Sequence, residues 1–156
     1  MKGEQLIGRL ATGIGMGTMF TQLDWAKAQF NERVGIDPFP GTVNVVIDDP
    51  DSVPVWVRLK QNDGILLENP NDGANDCDAK CWKVSINDEI DGAIVFPLVE
   101  GYPPAQVEVI AAIGVREAFR IEDGDTITLT LKGGPMTPTL TRATAELWEF
   151  PLSGPT

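Results

Sequence analysis

Short runs in which apolar and polar residues alternate recur along this chain, and they predict a structure dominated by β-strands. The first run covers residues 5–11 and stops at a cluster of glycines, a pattern typical of a strand that enters a loop. Comparable runs predict further strands at residues 42–47, 53–59, 82–86, 93–96, 107–110, 126–131 and 143–150. Many short strands at regular spacing favour a closed barrel over a doubly wound sheet.

Helical spacing of apolar residues is confined to two short stretches, so the predicted helix content is low. Residues 24–34 predict an amphipathic helix with Asp24 as a possible N-cap and Gly35 just past its end. Residues 113–120 predict a helical turn, and a turn sequence at residues 122–125 follows it. The segment of residues 61–80, rich in Asn, Asp and Gly, predicts a long hairpin or a flexible insertion.

Length and composition indicate one globular domain over residues 1–156. Apolar residues make up 42% of the 156 residues and charged residues 22%, an ordinary globular balance. The net charge of -11 is spread along the chain and disfavours nucleic acids and anionic membranes as partners. No apolar run approaches the ~20 residues of a membrane span and no signal-peptide core is present, so a cytoplasmic protein is expected.

The chain contains no histidine, which excludes every histidine-based catalytic or metal site. Carboxylates, hydroxyls, amides, Lys and Arg remain as acids, bases and ligands. The two cysteines, Cys77 and Cys81, are interpreted as plain loop thiols, with a local disulfide or a redox role as the alternatives. A zinc site would need two more good ligands.

Three alternating glycines, Gly13, Gly15 and Gly17, follow directly after the first predicted strand. Such a loop can turn tightly and bring its backbone N–H groups close to a phosphate. It is not a Walker A loop, since no Gly-Lys-Ser/Thr follows, and no ribose-binding acid supports a Rossmann site. The alternative is a tight turn or bulge that serves barrel closure.

Thr42 and Asn44 lie two positions apart on a predicted strand, so their side chains point the same way. A hydroxyl and an amide oxygen side by side can complete the shell of a Mg²⁺ ion whose charge is balanced by nucleotide phosphates. The alternative is the polar face of an amphipathic strand.

Glu108 alternates with Val107 and Val109 on a predicted strand, so it lies on the face opposite two apolar side chains. A solvated strand carboxylate is the ordinary interpretation of such a residue. Arg116 and Glu117 are likewise interpreted as surface residues of a helical turn.

These motifs occur in an order that resembles the archaeal-type CTP-dependent riboflavin kinases. The order is Gly-Ile-Gly-Met-Gly at residues 13–17, Asp-Pro-Phe-Pro-Gly-Thr-Val-Asn-Val at 37–45, Asp-Gly-Ala-Ile-Val at 91–95, Glu-Val-Ile-Ala at 108–111, Val-Arg-Glu at 115–117 and Asp-Gly-Asp at 123–125. The resemblance covers most of residues 4–131 and leaves a C-terminal extension at residues 132–156. Its most specific part is the stretch of residues 37–45.

The resemblance implies a compact, six-stranded cradle-loop β-barrel with one or two short helices. It also implies transfer of the terminal phosphate of CTP to the 5′-hydroxyl of riboflavin, which yields FMN and CDP. Carried over by position, Thr42 and Asn44 would ligate Mg²⁺, while Glu108 would contact the flavin and orient or deprotonate its ribityl hydroxyl. Glu100 falls on a second flavin-contacting position. The nucleotide would be bound by two stretches, namely Gly13, Ile14, Gly15, Met16, Gly17 and Thr18, and Ile113, Gly114, Val115 and Arg116.

Three positions depart from the family pattern. Thr18 stands where a basic residue usually closes the glycine loop, Glu100 where a threonine touches the FMN phosphate, and Ala112 where a proline is usual. A carboxylate at position 100 would repel a product phosphate at close range. Two alternatives therefore stay open: a non-catalytic module that binds a flavin or a nucleotide, and a kinase for another nucleotide or another small hydroxyl acceptor.

Overall fold

Antiparallel strands are the main regular elements of the computed structural model, which describes residues 4–11, 23–39, 42–70, 78–98 and 103–132. The strands are β1 (Gln5–Ala11), β2 (Val43–Val46), β3 (Ile65–Leu67), β4 (Ala79–Ile86), β5 (Ile90–Pro97), β6 (Gln106–Ala111) and β7 (Thr126–Leu131). The helices in these ranges are α1 (Asp24–Gln29), α2 (Val53–Lys60) and α3 (Val115–Phe119), and a π-helical turn at Phe30–Val34 continues α1. Among the described residues, no helix is long and apolar enough to span a bilayer.

Six of the strands close into a barrel. The sheet has the order β3-β4-β5-β6-β2-β1-β7, and an additional pairing of β4 with β7 joins its two sides. The strand β3 lies outside this ring, and β4 is its one partner among the described strands, in the register Ile65↔Cys81. The predicted six-stranded barrel is confirmed, with one extra strand.

Alternation along the strands separates two apolar clusters. Odd-numbered residues of β2 and β6, such as Val45 and Val107, point into the barrel, whereas the even-numbered ones point outward. The interior cluster includes Leu6, Leu10, Val43, Val45, Ile47, Val84, Ile86, Ile94, Val107, Val109, Ile127, Leu129 and Leu131. The outer cluster contains Ala26, Phe30, Val34, Ile36, Leu67, Ala79, Cys81, Ala93, Val95 and Ile110. The α1 helix and the π-helical turn therefore cover the outer face of β3, β4, β5 and β6.

The exposed edge of β3 is covered by side chains of these helical turns. Arg33 Nη1 donates to the Leu66 carbonyl oxygen at 2.7 Å. Gln29 Nε2 donates to the Glu68 carbonyl oxygen at 2.7 Å, and Gln29 Oε1 accepts the Glu68 N–H at 2.8 Å. These bonds satisfy backbone groups that an edge strand otherwise presents to another chain.

The prediction of a strand at residues 53–59 is wrong, because this segment forms the helix α2. Pro54 lies in the first helical turn, where a missing N–H is not needed. Trp56 and Leu59, three positions apart, are each 2% exposed and close one end of the barrel core. Trp56 Nε1 also donates to the Pro104 carbonyl oxygen at 2.9 Å. Burial at helical spacing, together with this anchor, outweighs the strand preference of three β-branched valines.

The other element predictions that fall on described residues hold, with shifted ends. The N-cap of α1 is Leu23, so the prediction of Asp24 as the N-cap is wrong and Asp24 is the first helical residue. Gly35 ends the helical turns with φ of 81°, as predicted. Residues 65–67 and 79–81 form the predicted hairpin, and Gly124 adopts φ of 94° in the predicted turn at residues 122–125. The strand predicted at residues 143–150 lies outside the described residues.

Cys81 is a strand residue in the outer cluster, so the prediction of a loop thiol is wrong for it. Its side chain is fully buried, and the thiol is free. Burial raises the pKa of the Cys81 thiol well above its ordinary value. Cys77 lies outside the described residues.

Candidate functional site

The pairing of β2 with β6 places four polar side chains on the outer face of the barrel. Asn44 is directly opposite Glu108, and Thr42 precedes β2 on the side to which Asn44 points. Gln106 lies two residues before Glu108 on the same face of β6. We refer to Thr42, Asn44, Gln106 and Glu108 as the polar row.

Thr42 and Glu108 are joined by a hydrogen bond. The Thr42 hydroxyl donates to Glu108 Oε1 at 3.0 Å, across a sequence separation of 66 residues. The two oxygen groups predicted for metal binding and flavin contact are therefore neighbours. The backbone supports this placement, since the Phe39 N–H donates to the Ala111 carbonyl oxygen at 2.7 Å and brings the segment before Thr42 onto the end of β6.

Glu108 is a buried carboxylate, so its interpretation as a solvated strand residue is wrong. Only 2% of the residue is exposed. Its strand neighbours are Asn44 on β2 and Val95 on β5, and the outer apolar cluster begins at Val95 and Ile110. A buried carboxylate needs hydrogen-bond donors, and the Thr42 hydroxyl is one of them.

The side chain of Asn44 is hydrogen-bonded to a residue that was not predicted from the sequence as part of the site. Gln106 Nε2 donates to Asn44 Oδ1 at 3.1 Å. A signal for Gln106 was present in the sequence, because it shares a strand face with Glu108 at a spacing of two residues. What the sequence lacked was the identity of the neighbouring strand.

A cavity of about 150 Å³ adjoins the polar row at Thr42. Its wall includes all four residues of the predicted nucleotide-binding stretch Ile113, Gly114, Val115 and Arg116. Phe39, at 45% exposure, and Ile113, at 48%, are among the apolar side chains that line it. The structure thus brings one predicted metal ligand and one predicted nucleotide-binding stretch to the same pocket.

Arg116 joins this pocket to the end of β1. Its Nη2 donates to the Ala11 carbonyl oxygen at 3.2 Å and to Asp123 Oδ1 at 2.7 Å. Ala11 itself pairs with Asn44 in the sheet. The described part of β1 therefore ends at Ala11, beside the polar row.

The remaining predicted site residues lie outside the described part of the chain. They are Gly13, Ile14, Gly15, Met16, Gly17 and Thr18 of the glycine loop, and Glu100. The structure provides no test of their predicted contacts.

The side-chain oxygens of the polar row are suitable ligands for a hard cation that also binds phosphate. They are a hydroxyl, two amide oxygens and one carboxylate, which are the oxygen types found around Mg²⁺. Within the described ranges, no group of three or more His, Cys, Asp or Glu residues could hold a metal by itself. A nucleotide triphosphate would supply the negative charge that such a site needs to bind Mg²⁺.

Comparison with known proteins gives one consistent family. A family model named for the CTP-dependent riboflavin kinases, described as domain of unknown function DUF120, matches residues 10–131. A riboflavin kinase of Methanocella arvoryzae is 36% identical over 125 residues, which are 80% of this chain and 56% of that protein. The chain thus spans little more than half the length of this relative.

Two further relatives match the same part of the chain. A riboflavin kinase of Saccharolobus solfataricus is 30% identical over 126 residues, 80% of this chain and 72% of that protein. A riboflavin kinase of Methanothermobacter thermautotrophicus is 30% identical over 122 residues, 78% of this chain and 94% of that protein. The matched residues 10–131 include the whole polar row and the stretch from Ile113 to Arg116, and the chain belongs to the CTP-dependent riboflavin kinase family.

Proposed function

We propose that this chain transfers the terminal phosphate of CTP to the 5′-hydroxyl of riboflavin and yields FMN and CDP. The observation that carries the proposal is the hydrogen-bonded pair of Thr42 and buried Glu108 beside the pocket of Ile113 to Arg116, in a chain of this family. The similar proteins of three archaea are named riboflavin kinases, which supports this choice of substrate.

In the proposed reaction Glu108 orients the acceptor. A bond forms between the 5′-oxygen of riboflavin and the terminal phosphorus, and the bond between that phosphorus and its bridging oxygen to CDP breaks. The hydroxyl proton leaves to Glu108 or to water. Phosphoryl transfer depends mainly on positioning and on neutralising charge, so a site without histidine can carry it out. A carboxylate aimed at the hydroxyl fixes its direction of attack, and its role as a base is secondary.

Thr42 and Asn44 are the residues that we propose to hold Mg²⁺. When bound, the ion supplies positive charge to the phosphate oxygens as they become more negative. The neutral hydroxyl and amide ligands leave the ion most of its charge for the phosphates. We assign the nucleotide to the glycine loop of residues 13–18 and to the stretch from Ile113 to Arg116, and assign Glu100 to the flavin side. A cytoplasmic location and a single domain over residues 1–156 stay predictions.

A second candidate is a module of the same fold that binds a flavin or nucleotide without turnover. It is motivated by Thr18 and Glu100, which replace a basic residue and a threonine of the family pattern. If the family's contacts carry over, both changes would remove favourable contacts to phosphate, and Glu100 would add a negative charge near the product. A kinase for another nucleotide or another hydroxyl acceptor is a variant of the first proposal.

The test is a chromatographic assay for FMN with purified protein, riboflavin, Mg²⁺ and, in separate reactions, CTP, UTP, ATP or GTP. The riboflavin kinase of Methanothermobacter thermautotrophicus serves as the positive control. FMN formed with CTP, and at a much lower rate with the other nucleotides, is the expected result. Tight flavin binding in calorimetry without FMN would favour the non-catalytic module, and binding of neither ligand would overturn both ideas.

A further inference from the structure

The two proposed metal ligands on β2 are each held by a residue of β6. The Thr42 hydroxyl donates a hydrogen bond to Glu108 Oε1 at 3.0 Å, which turns the lone pairs of Thr42 Oγ1 away from Glu108. The Gln106 amide donates to Asn44 Oδ1 at 3.1 Å. The first contact joins two residues that the sequence already assigned to the site, whereas the second introduces a residue with no assigned role.

The carboxamide of Asn44 needs such a partner if its oxygen is to serve a cation. The terminal torsion of an asparagine side chain is broad and roughly two-fold, so an unrestrained amide can present its NH₂ group as readily as its oxygen. An N–H donor from Gln106 is compatible only with the oxygen on its side. The carbonyl oxygen has two lone pairs, so one remains for a cation after the hydrogen bond forms.

Gln106 is itself held by the backbone on both sides. Its N–H donates to the Pro103 carbonyl oxygen at 3.3 Å, and it pairs with Val46 in the register of β2 and β6. From this position its side chain reaches the diagonal neighbour Asn44, a distance that long side chains span in antiparallel sheets. The Gln106 side chain therefore starts from a backbone position that the sheet fixes.

We infer that Gln106 is a positioning residue for the cation site, which fixes the Asn44 carboxamide with its oxygen available to Mg²⁺; this inference rests on the proposed function. Residues that orient a metal ligand commonly change metal affinity by about tenfold to hundredfold when they are replaced. Gln106 does not touch the phosphates in this role, so it acts on the nucleotide through the metal alone.

The test is calorimetric titration of CTP at a series of Mg²⁺ concentrations and in EDTA, for the wild type and for Gln106→Met. Methionine keeps the length and unbranched shape of glutamine and removes the donor. The half-saturating Mg²⁺ concentration should rise about tenfold or more. CTP affinity in EDTA should not change. Gln106→Leu, which also lacks the donor, provides a second variant if methionine lowers the melting temperature.

Gln5→Met is the matched control. Gln5 Nε2 donates to Thr130 Oγ1 at 3.2 Å across β1 and β7, at the opposite end of β1 from Ala11. Gln5→Met removes a cross-strand hydrogen bond of a glutamine side chain in the same way, but away from the site. CTP binding with Mg²⁺ and in EDTA should therefore stay unchanged in this variant. In an Asn44→Asp background, Gln106→Met should add little further effect, because a carboxylate presents an oxygen to the cation whichever way it turns.

Three results would overturn the inference. If the wild type needs Mg²⁺ and Gln106→Met shows the same Mg²⁺ dependence, Gln106 is not a positioning residue, while Thr42 and Asn44 remain the proposed metal ligands. An effect of the same size in the Asn44→Asp background would mean that Gln106 acts other than by orienting the Asn44 carboxamide. If CTP binding to the wild type does not depend on Mg²⁺, the metal roles of Thr42 and Asn44 and the role of Gln106 are excluded together.

Discussion

The hydrogen bond between Thr42 and Glu108 should contribute both to stability and to metal binding, and Thr42→Val tests both. Valine has nearly the shape of threonine, so the substitution deletes a hydroxyl without opening a cavity. Glu108 is 2% exposed, and it loses a donor that water cannot easily replace.

The magnitude follows from the charge and burial of this pair. Hydrogen bonds to charged groups contribute about 1.5–3 kcal/mol. Thr42 is only half-buried, so we expect the lower part of that range, about 1.5–2 kcal/mol. For a domain of this size the melting temperature should then fall by roughly 3–8 °C.

Thermal and urea unfolding followed by circular dichroism would measure this loss, with Thr128→Val and Thr42→Ser as controls. Thr128 is half-buried on β7, and its hydroxyl makes no hydrogen bond to any residue that the structure describes. Thr128→Val should therefore cost much less than Thr42→Val, and Thr42→Ser should keep most of the stability because it keeps the hydroxyl. Equal losses in Thr42→Val and Thr128→Val would refute the argument.

The same variant reports on the metal site. CTP at a hundred times its dissociation constant, with Mg²⁺, should stabilise the wild type by about 2.7 kcal/mol. Thr42→Val should lose most of this added stability, because one of the two proposed Mg²⁺ ligands is gone. Full ligand stabilisation in Thr42→Val would show that the Thr42 oxygen is not part of the metal site.

Three further predictions concern the same site and the outer cluster. Asn44→Ala should abolish Mg²⁺-dependent nucleotide binding in calorimetry and keep the fold; unchanged affinity would mean that the metal assignment is wrong. Glu108→Gln should lower kcat for FMN formation by up to about a hundredfold while CTP still binds, because a neutral amide directs the acceptor hydroxyl less strongly than a carboxylate and misplacement of the hydroxyl is costly. Its amide oxygen still accepts a hydrogen bond from Thr42. Exposed Glu89→Gln is the control, and equal rates in the two variants would contradict the role of Glu108. Burial raises the pKa of Cys81, so above about pH 8.5 the thiol ionises in the unfolded chain but not in the folded protein. The free energy of unfolding should therefore fall above this pH, by up to about 1.4 kcal/mol per pH unit, and keep its full value below it. Urea unfolding from pH 7 to 10 should show this steeper decline in wild type than in Cys81→Ala, and parallel curves would contradict it.

The site could be predicted in part because its residues carry local signals. The spacing of Thr42 and Asn44 fixes a common side for their oxygens, and the structure shows both on the outer face of the barrel. The alternation around Glu108 likewise predicted its face, opposite Val107 and Val109. Alternation says nothing about what covers that face, which is why the burial of Glu108 was missed.

Residues 53–60 show a different limit. Three valines and a tryptophan favour a strand when read locally. The segment is a helix because Trp56 and Leu59 can both enter the end of the barrel only at helical spacing, with Pro54 in the first turn. Such a choice depends on a core that the segment does not itself contain.

By itself the sequence determined the β-rich class, most of the strands and the order of the motifs that identifies the family. These features follow from two-residue alternation, turn residues and short motifs, all of which are local. Only the tertiary structure decided that β2 pairs with β6, which joins Thr42 to Glu108 over 66 residues and gives Asn44 its partner Gln106. The physical reason is that a strand's pattern fixes which way each side chain points, while its neighbour is selected by the closure of the whole barrel.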